Sequence, residues 1–377
     1  GWMQNPVGAV FNPDTMRMEI VDFMAVIFNP VAQAKFVHTV SAGYVCGSLF
    51  VIAVSSIYLL QGKHIPLARR SIAVAASFGL ASALSVVVLG DESGYALTDN
   101  QKMKLAAIEA MWETEPAPAG LTIFGIPDKA NQVTHFEVKI PAVLGLIATR
   151  SIMGEVTGIR ELVETAEVRI QRGILAYDAV ETLKKDRTNI AAREQFELHK
   201  ADLGYAMLLK RFVEDPRAAT KTDIEQAAWS TVPNVPVIFW LFRGMAGLGF
   251  YFIALFGAAF WYASKRRFDV RWLQKLALFS MPLPWLAAEM GWALAEYGRQ
   301  PWAVEGALPT FLASSSLTLP QIWTTIAGFT LAYGILAVIM VRLMLAAIRH
   351  GPERGTERGP AAGEDRASGA FVPLPAE

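Results

Sequence analysis

Five apolar stretches, each long enough to cross a lipid bilayer, constrain the fold of this chain more than any other feature. A spanning helix needs about 20 mainly apolar residues, and five segments meet that length: 36–60, 71–90, 235–264, 272–297 and 321–349. The composition agrees, because only 18% of the residues are charged, which is below the usual level in soluble domains. The sequence therefore predicts an all-α polytopic membrane protein with five transmembrane helices.

Basic residues in the connections between these stretches predict the orientation. If the five helices alternate in direction, the basic segments 61–70, 265–275 and 349–358 fall on the same side. An excess of lysine and arginine marks the cytoplasmic side of a membrane protein. Segments 91–233 and 298–320 are therefore predicted to face the periplasm.

Composition divides the chain into five regions. Residues 1–35 are predicted to be a periplasmic connection after a helix outside this sequence, and residues 36–90 to be two transmembrane helices. Residues 91–233 are predicted to form a large and mainly helical periplasmic loop domain. Residues 234–349 are predicted to be three transmembrane helices, and residues 350–377 a disordered cytoplasmic tail. The apolar patch 138–149 is too short to span and is predicted to pack on the membrane face.

Three further features bound the class of protein. The net charge is zero and the basic residues are not clustered, which argues against a nucleic-acid partner. Cys46 is the only cysteine, so no intrachain disulfide can form. No targeting signal is found at Gly1, and we expect the sequence to be an N-terminally truncated part of a longer protein.

His38 is the only histidine inside a predicted span, and it lies roughly 12 Å along the helix from Pro30. An imidazole at such depth serves haem ligation or proton relay, or else forms a hydrogen bond between helices. Met245 in the third predicted span could offer a thioether to iron, although such a methionine is ordinarily packing. Together they would give a six-coordinate, low-spin haem in the outer half of the bilayer.

Two charged residues inside predicted spans need partners. Arg243 costs at least about 2.5–3.5 kcal/mol on insertion unless it is paired, so it requires a buried anion such as a haem propionate. Glu289, four residues after Trp285, suits proton relay, ligation of a high-spin iron, or a protonated hydrogen bond between helices. Glu296 and Arg299 would form an interfacial ion pair, or Arg299 would bind a propionate.

Gln101, Lys104 and Glu109 lie in the run QKMKLAAIEAMW at the start of the predicted loop domain. Helical spacing places them broadly on one side. A quinol site needs hydrogen-bonding groups for the hydroxyls and a base for the departing protons. Spacing alone, however, favours a solvated charged face.

Eight strings follow one another along the chain: GWMQNPVG, FNPDTMRME, FNPVAQAKFVHTVSAGYV, GDESGY, QKMKLAAIEAMWET, FRGM, PLPW and EYGRQPW. In this order they resemble subunit I of the cytochrome bd quinol oxidases. The resemblance runs from residue 1 to about 350. Segment 91–233 is similar to the long form of the family's quinol-binding loop.

The resemblance implies haem-binding roles for residues inside the predicted spans. His38 and Met245 are implied as the iron ligands of a low-spin haem b of the b558 type, with Arg243 beside that haem. Glu289 is implied as the iron ligand of a high-spin haem b of the b595 type, with Trp285 close by. Haem d is expected in the full-length protein.

The resemblance also implies a role for the loop residues and a limit on this sequence. Lys104 and Glu109, with Gln101 as a companion, match loop residues of quinol oxidation. The family's subunit I begins with helices that precede GWMQNPVG and carry further ligands of the oxygen site. We therefore expect this part of the chain to be inactive by itself.

The activity implied by the resemblance is oxidation of quinol at the periplasmic side and reduction of O2 to water. It would generate a proton motive force without pumping, in the bacterial inner membrane. The implied partners are subunit II, with or without a small single-helix subunit, ubiquinol or menaquinol, O2 and the lipid bilayer. Alternatives are a membrane b-type cytochrome that only relays electrons, a cyanide-insensitive variant without haem d, and a haem-free transporter.

Overall fold

The computed structural model describes residues 1–352, and most of them are helical. The chain separates into two compact units, Gly1–Ser315 and a second unit that begins at Ser316. Most of the tail predicted to be disordered, from residue 353 onward, lies outside the described residues.

Helices and three small hairpins make up the described chain. The helices are α1 (Phe23–Ile27), α2 (Pro30–Gln61), α3 (Ile65–Asn100), α4 (Lys102–Ile108), α5 (Val143–Thr149), α6 (Ile159–Lys185), α7 (Ile190–His199), α8 (Leu203–Leu208), α9 (Lys221–Trp229), α10 (Val235–Ser264), α11 (Arg271–Ser280), α12 (Leu283–Tyr297) and α13 (Leu319–His350). The antiparallel strand pairs are β1 (Ala9–Asn12) with β2 (Arg17–Ile20), β3 (Leu121–Asp128) with β4 (Val133–Ile140), and β5 (Trp302–Val304) with β6 (Leu308–Pro309).

Four helical segments within residues 1–352 are long and apolar enough to cross a membrane: α1 together with α2, then α3, α10 and α13. The predicted span 272–297 is divided instead between α11 and α12, with a break at Met281 and Pro282. Pro282 has no backbone N–H, and its ring clashes with the carbonyl four residues earlier. The prediction of five continuous spanning helices is therefore not confirmed.

Asn29 fixes the start of α2. Its buried side-chain oxygen accepts hydrogen bonds from the N–H groups of Val31 and Ala32, at 3.0 and 3.3 Å. Its amide nitrogen donates to the carbonyl of Asn5 at 2.8 Å. Pro30 occupies the first helical position, where its missing N–H costs nothing. The cap therefore joins the N-terminal segment to the first long helix.

Close packing of small and aromatic residues holds α2, α3, α10 and α11 together. Leu49 of α2 and Phe256 of α10 are fully buried in one apolar cluster. A Cβ added to Gly79 of α3 would lie 2.4 Å from the Phe256 ring, as expected where small residues let membrane helices approach. At one end, the Arg69 guanidinium lies 5.9 Å from the Phe268 ring, so the first two basic connections meet there.

Segment 91–233 is mainly helical, with one hairpin that the sequence did not predict. Strands β3 and β4 are rich in β-branched and aromatic residues, which favour strands. Helix α5 lies inside the apolar patch 138–149, and its Leu144 and Ala148 are buried in the protein core. Val138 and Ile140 of β4 remain exposed. Only part of that patch is therefore free to pack on a membrane face.

Candidate functional site

Helix α4 is buried over most of its length, together with Lys104 and with Gln101 and Glu109 at its two ends, and only Lys102 in its first turn is exposed. Gln101, Lys104 and Glu109 are 4, 5 and 3% exposed. Leu105 and Ile108 beside them belong to the core cluster that α6 and α10 also line. The solvated charged face that spacing favoured is therefore wrong. A helix of seven residues is too short for its periodicity to reveal that both of its faces are covered.

Glu109 and Arg243 form a buried ion pair between the end of α4 and the first third of α10. The guanidinium donates to Oε2 of Glu109 at 3.2 Å, to the carbonyl of Ile108 at 2.7 Å and to the carbonyl of Thr122. The Thr122 N–H donates to the same carboxylate oxygen at 3.2 Å. Arg243 also stacks on Phe239, 3.4 Å from the ring centroid. The buried anion that Arg243 requires is thus supplied by the protein itself.

Burial raises the pKa of the Glu109 carboxyl, and its contacts with Arg243 and the Thr122 N–H oppose that rise. A buried carboxylate with a raised pKa is a plausible proton acceptor when its partners hold it in place. Because Arg243 is two residues from Met245, this pair joins α4 directly to the helix that carries a candidate iron ligand.

Gln101 and Lys104 have different neighbours. The Gln101 side-chain nitrogen donates to Oε2 of Glu305 at 3.0 Å. The Lys104 side chain packs on Gly298, where an added Cβ would lie 2.8 Å from its Cε. Burial lowers the pKa of Lys104 to about 7, and burial likewise raises the pKa of Glu305 to about 7. Gln101, Lys104 and Glu109 thus lie on one buried segment. Glu109, however, pairs with Arg243, whereas Gln101 contacts Glu305.

Sequence reasoning missed Glu305. It lies in the connection between α12 and α13, more than two hundred residues from Gln101 in sequence. One carboxylate in a connecting segment carries no motif of its own. Only the fold, which packs this connection over α4, makes it a partner of Gln101.

His38 presents an unsatisfied nitrogen inside the helix layer. Its Nδ1 is buried and has no hydrogen-bond partner within residues 1–352. Gly90 of α3 faces the ring, with an added Cβ 3.4 Å from Cε1 and 3.8 Å from Nδ1. An imidazole nitrogen without a protein partner is suited to bind a metal. The residue therefore fits an axial ligand of haem.

Met245 of α10, like His38, lies beside a glycine of a neighbouring helix. An added Cβ at Gly291 of α12 would lie 2.9 Å from its sulfur, so a larger residue there would displace the thioether. Arg243, two residues earlier, contacts α4. Lys35, one turn before His38, lies within electrostatic range of Lys104. His38 and Met245, the two candidate iron ligands, therefore lie in the half of the long helices that is next to α4.

Glu289 and Trp285 lie on an exposed face of α12. Within residues 1–352, no hydrogen bond or ion pair connects either residue to His38 or to α4. The same tryptophan-to-glutamate spacing recurs seven residues later, at Trp292 and Glu296. Glu296 forms the expected ion pair with Arg299. Helix α12 therefore offers two carboxylates, two turns apart.

Comparison with known families identifies what this arrangement belongs to. Residues 1–352 match the family model described as cytochrome bd terminal oxidase subunit I. The chain belongs to that family. A cytochrome bd subunit I is an integral membrane protein, in agreement with the mainly helical fold and its candidate spans.

Two curated relatives of this cytochrome bd subunit I chain are bacterial ubiquinol oxidase subunits. It is 39% identical over 353 residues to the cytochrome bd-II ubiquinol oxidase subunit 1 of Escherichia coli (strain K12), covering 93% of this chain and 69% of that protein. It is 27% identical over 354 residues to the cytochrome bd ubiquinol oxidase subunit 1 of Bacillus subtilis (strain 168), covering 93% and 63%.

A solved structure supports the fold of this cytochrome bd subunit I chain. The bd oxidase from Geobacillus thermodenitrificans matches with a TM-score of 0.63 at 21% identity, covering 93% of this chain and 65% of that one. The chain thus spans about two thirds of the length of the proteins it matches.

Proposed function

We propose that this chain forms the quinol-oxidising, haem-bearing part of subunit I of a bd-type terminal oxidase in a bacterial inner membrane. The observation that supports this most is the buried pair between Glu109 and Arg243. It joins α4, with Lys104 and Gln101, to the helix of Met245. A quinol bound at α4 would thus be oxidised next to a candidate haem ligand.

The haem sites follow from the same residues. A low-spin haem b is held by His38 and Met245, with Arg243 nearby, and a high-spin haem b is held at Glu289 beside Trp285. Haem d belongs to the full-length protein. When bound, the haems supply the one-electron chemistry that links quinol oxidation to the reduction of O2 to water.

The residues of this chain prepare the quinol for oxidation. Gln101 and Lys104 hydrogen-bond one quinol hydroxyl, and Glu109 accepts one of the two protons that the quinol releases. Arg243 holds the Glu109 carboxylate in one orientation through its hydrogen bonds. Burial of all three loop residues excludes water from the site, which strengthens each of these interactions.

The topology gives the reaction a direction. The first two basic connections, which meet where Arg69 contacts Phe268, are cytoplasmic, and segment 91–233 is periplasmic. Helices α11 and α12 together make the fifth crossing, because 271–297 would reach about 40 Å as one helix. Quinol protons leave outward and the protons for water come from the cytoplasm, so a proton motive force arises without pumping. Subunit II, with or without a small single-helix subunit, completes the enzyme, and ubiquinol or menaquinol is the electron donor.

Lys104→Ala in the full-length oxidase should abolish quinol-dependent oxygen uptake while leaving the haem spectrum intact. The reason is that Lys104 is buried at the proposed quinol site and is not an iron ligand. Lys102→Ala is the matched control, because Lys102 is exposed two residues earlier on the same helix. Oxygen uptake with a soluble quinol analogue, together with a reduced-minus-oxidised spectrum, measures both effects.

Normal oxygen uptake by the Lys104 variant would remove this residue from the quinol site. A parent enzyme that is reduced by quinol but consumes no oxygen would instead be a cytochrome that only relays electrons.

Glu289→Gln should remove the high-spin haem features and leave the low-spin band, since an amide is a poor substitute for a carboxylate ligand. The comparison is Glu296→Gln on the same helix, which removes the ion pair with Arg299. Optical and electron paramagnetic resonance spectra of the full-length oxidase distinguish the two. Loss of the high-spin features in the Glu296 variant alone would assign the ligand to Glu296.

A further inference from the structure

Glu305 is a carboxylate at the inner end of a polar pathway. Its Oε2 accepts a hydrogen bond from Gln101, 3.0 Å away. The other end of that amide, Oε1 of Gln101, is buried and has no partner within residues 1–352. An acceptor of this kind costs free energy unless a ligand hydroxyl satisfies it. Glu305 is therefore one hydrogen bond away from the expected position of a quinol hydroxyl.

On its other side, the segment that carries Glu305 packs against α8. A Cβ added to Gly204 would lie 2.1 Å from the carbonyl oxygen of Gly306, so the two backbones are in contact. Tyr205 follows Gly204, and its ring lies 5.1 Å from the Trp302 ring. Glu305 is thus enclosed between α4 and α8.

Arg169, Asp202 and Tyr205 continue from this point toward the surface. Arg169 donates to Asp202 at 2.6 Å and to the Tyr205 hydroxyl at 3.0 Å, and it stacks over the Tyr205 ring at 4.0 Å. The Arg169 side chain is 36% exposed, whereas that of Asp202 is 12% exposed. Tyr205 and Arg169 lie within electrostatic range of Glu305, and the cluster reaches water at Arg169.

The groups that act on Glu305 come from three directions. Lys104 on α4, Arg169 on α6 and Arg299 after α12 all favour its ionised form. Tyr205 and Asp202 lie on the α8 side, within electrostatic range of one another. Glu296 and Lys35 complete the charged groups around Lys104.

We propose that Glu305 is the proton-exit residue of the quinol site, taking a quinol proton beside Gln101 and releasing it to the periplasmic water by way of the Tyr205 hydroxyl and the Asp202 carboxylate, both of which the permanently charged Arg169 holds in place. This inference rests on the proposed function. It gives a carboxylate outside every predicted site a defined part in the reaction.

The step balances in atoms and electrons. A quinol O–H bond breaks and its proton forms a new O–H bond on the Glu305 carboxylate. The low-spin haem that His38 and Met245 would hold would supply the one-electron oxidant that takes up the electron. The neutral Glu305 carboxyl then returns the proton to water along the cluster. After two such electron transfers and the loss of both protons, the quinol has become quinone.

The pH dependence of turnover follows from the state of this carboxyl. Burial raises the pKa of Glu305 to about 7. Below that pH the group is protonated and cannot accept a proton, so kcat should fall as the pH decreases through about 7. Lys104, with a pKa of about 7, is a second group that titrates in this pH range. Replacing Glu305 alone separates its contribution to the pH dependence from that of Lys104.

Glu305→Gln in the full-length oxidase complex tests the proposal. We expect kcat with a soluble quinol analogue to fall about 100-fold, the usual scale of general acid–base catalysis, with the haem spectrum and KM unchanged. The acid limb of the kcat profile should disappear, and proton release after rapid mixing with quinol should slow equally. Glu164→Gln, on the exposed face of α6, should behave as the parent in every assay.

Glu305→Asp provides a second variant, because it retains the carboxylate and should recover part of the rate and the acid limb. Parent-like turnover and pH profile in Glu305→Gln would overturn the proposal. If that variant fails to assemble, a Glu305→Asp enzyme with an intact haem spectrum and the full kcat of the parent would overturn it equally, because the shorter side chain should recover only part of the rate. A parent complex that does not oxidise quinol at all would overturn the proposed function instead.

Discussion

The low-spin haem band disappears from the reduced-minus-oxidised spectrum of the full-length oxidase in both His38→Ala and Met245→Leu, and the other haem bands remain. This is the largest effect we expect from any single substitution. Each variant removes one of the two proposed iron ligands, and a haem b without both ligands cannot stay six-coordinate and low-spin. Turnover with quinol should fall to background in both, because the electron would have no first acceptor. Optical spectra and oxygen uptake measure the two effects.

Two controls separate ligation from general damage. His135→Ala and Met153→Leu replace the same residue types at exposed positions in segment 91–233, and both should keep the parent spectrum. A variant of His38 or Met245 that retains the band would remove that residue from the ligand pair. The unpartnered Nδ1 of His38 would then need another explanation.

Arg243→Ala should lower the stability of the complex by roughly 3–5 kcal/mol, because it leaves the buried Glu109 carboxylate without its cation. It also removes hydrogen bonds to the carbonyls of Ile108 and Thr122. The expected signs are a clear fall in Tm and a slower quinol reaction. Thermal unfolding of the purified complex, followed by the haem absorbance, measures the first.

Arg217→Ala is the control for this change, since Arg217 forms its ion pairs at the surface and such pairs contribute little. The double variant Arg243→Ala with Glu109→Ala should recover part of the lost stability, because no isolated charge then remains buried. If Arg243→Ala has the Tm of the parent, the ion pair does not hold α4 against α10.

The sequence predicts some structural features of this protein and not others. The need of Arg243 for a buried anion followed from the cost of a charge in an apolar helix, and Glu109 meets it. The identity of that anion did not follow, because the two residues are 134 positions apart. Apolar length also predicted α2, α3, α10 and α13 as spans.

The features that the sequence did not reveal depend on tertiary packing or on local backbone chemistry. The break between α11 and α12 could have been expected from Pro282, but hydropathy averaged over a long window conceals it. Burial of Lys104 comes from elements that cover α4 on both sides. Glu305 became visible only through its contact with Gln101.

The enclosure of α4 has a consequence for which molecules can donate electrons to this protein. With Gln101 and Lys104 almost fully shielded, a hydrophilic reductant dissolved in water has no open surface at which to approach the proposed quinol site. A donor with a long hydrocarbon tail can instead arrive sideways, from within the lipid. In the proposed site, such shielding would select electron donors by their solubility in lipid.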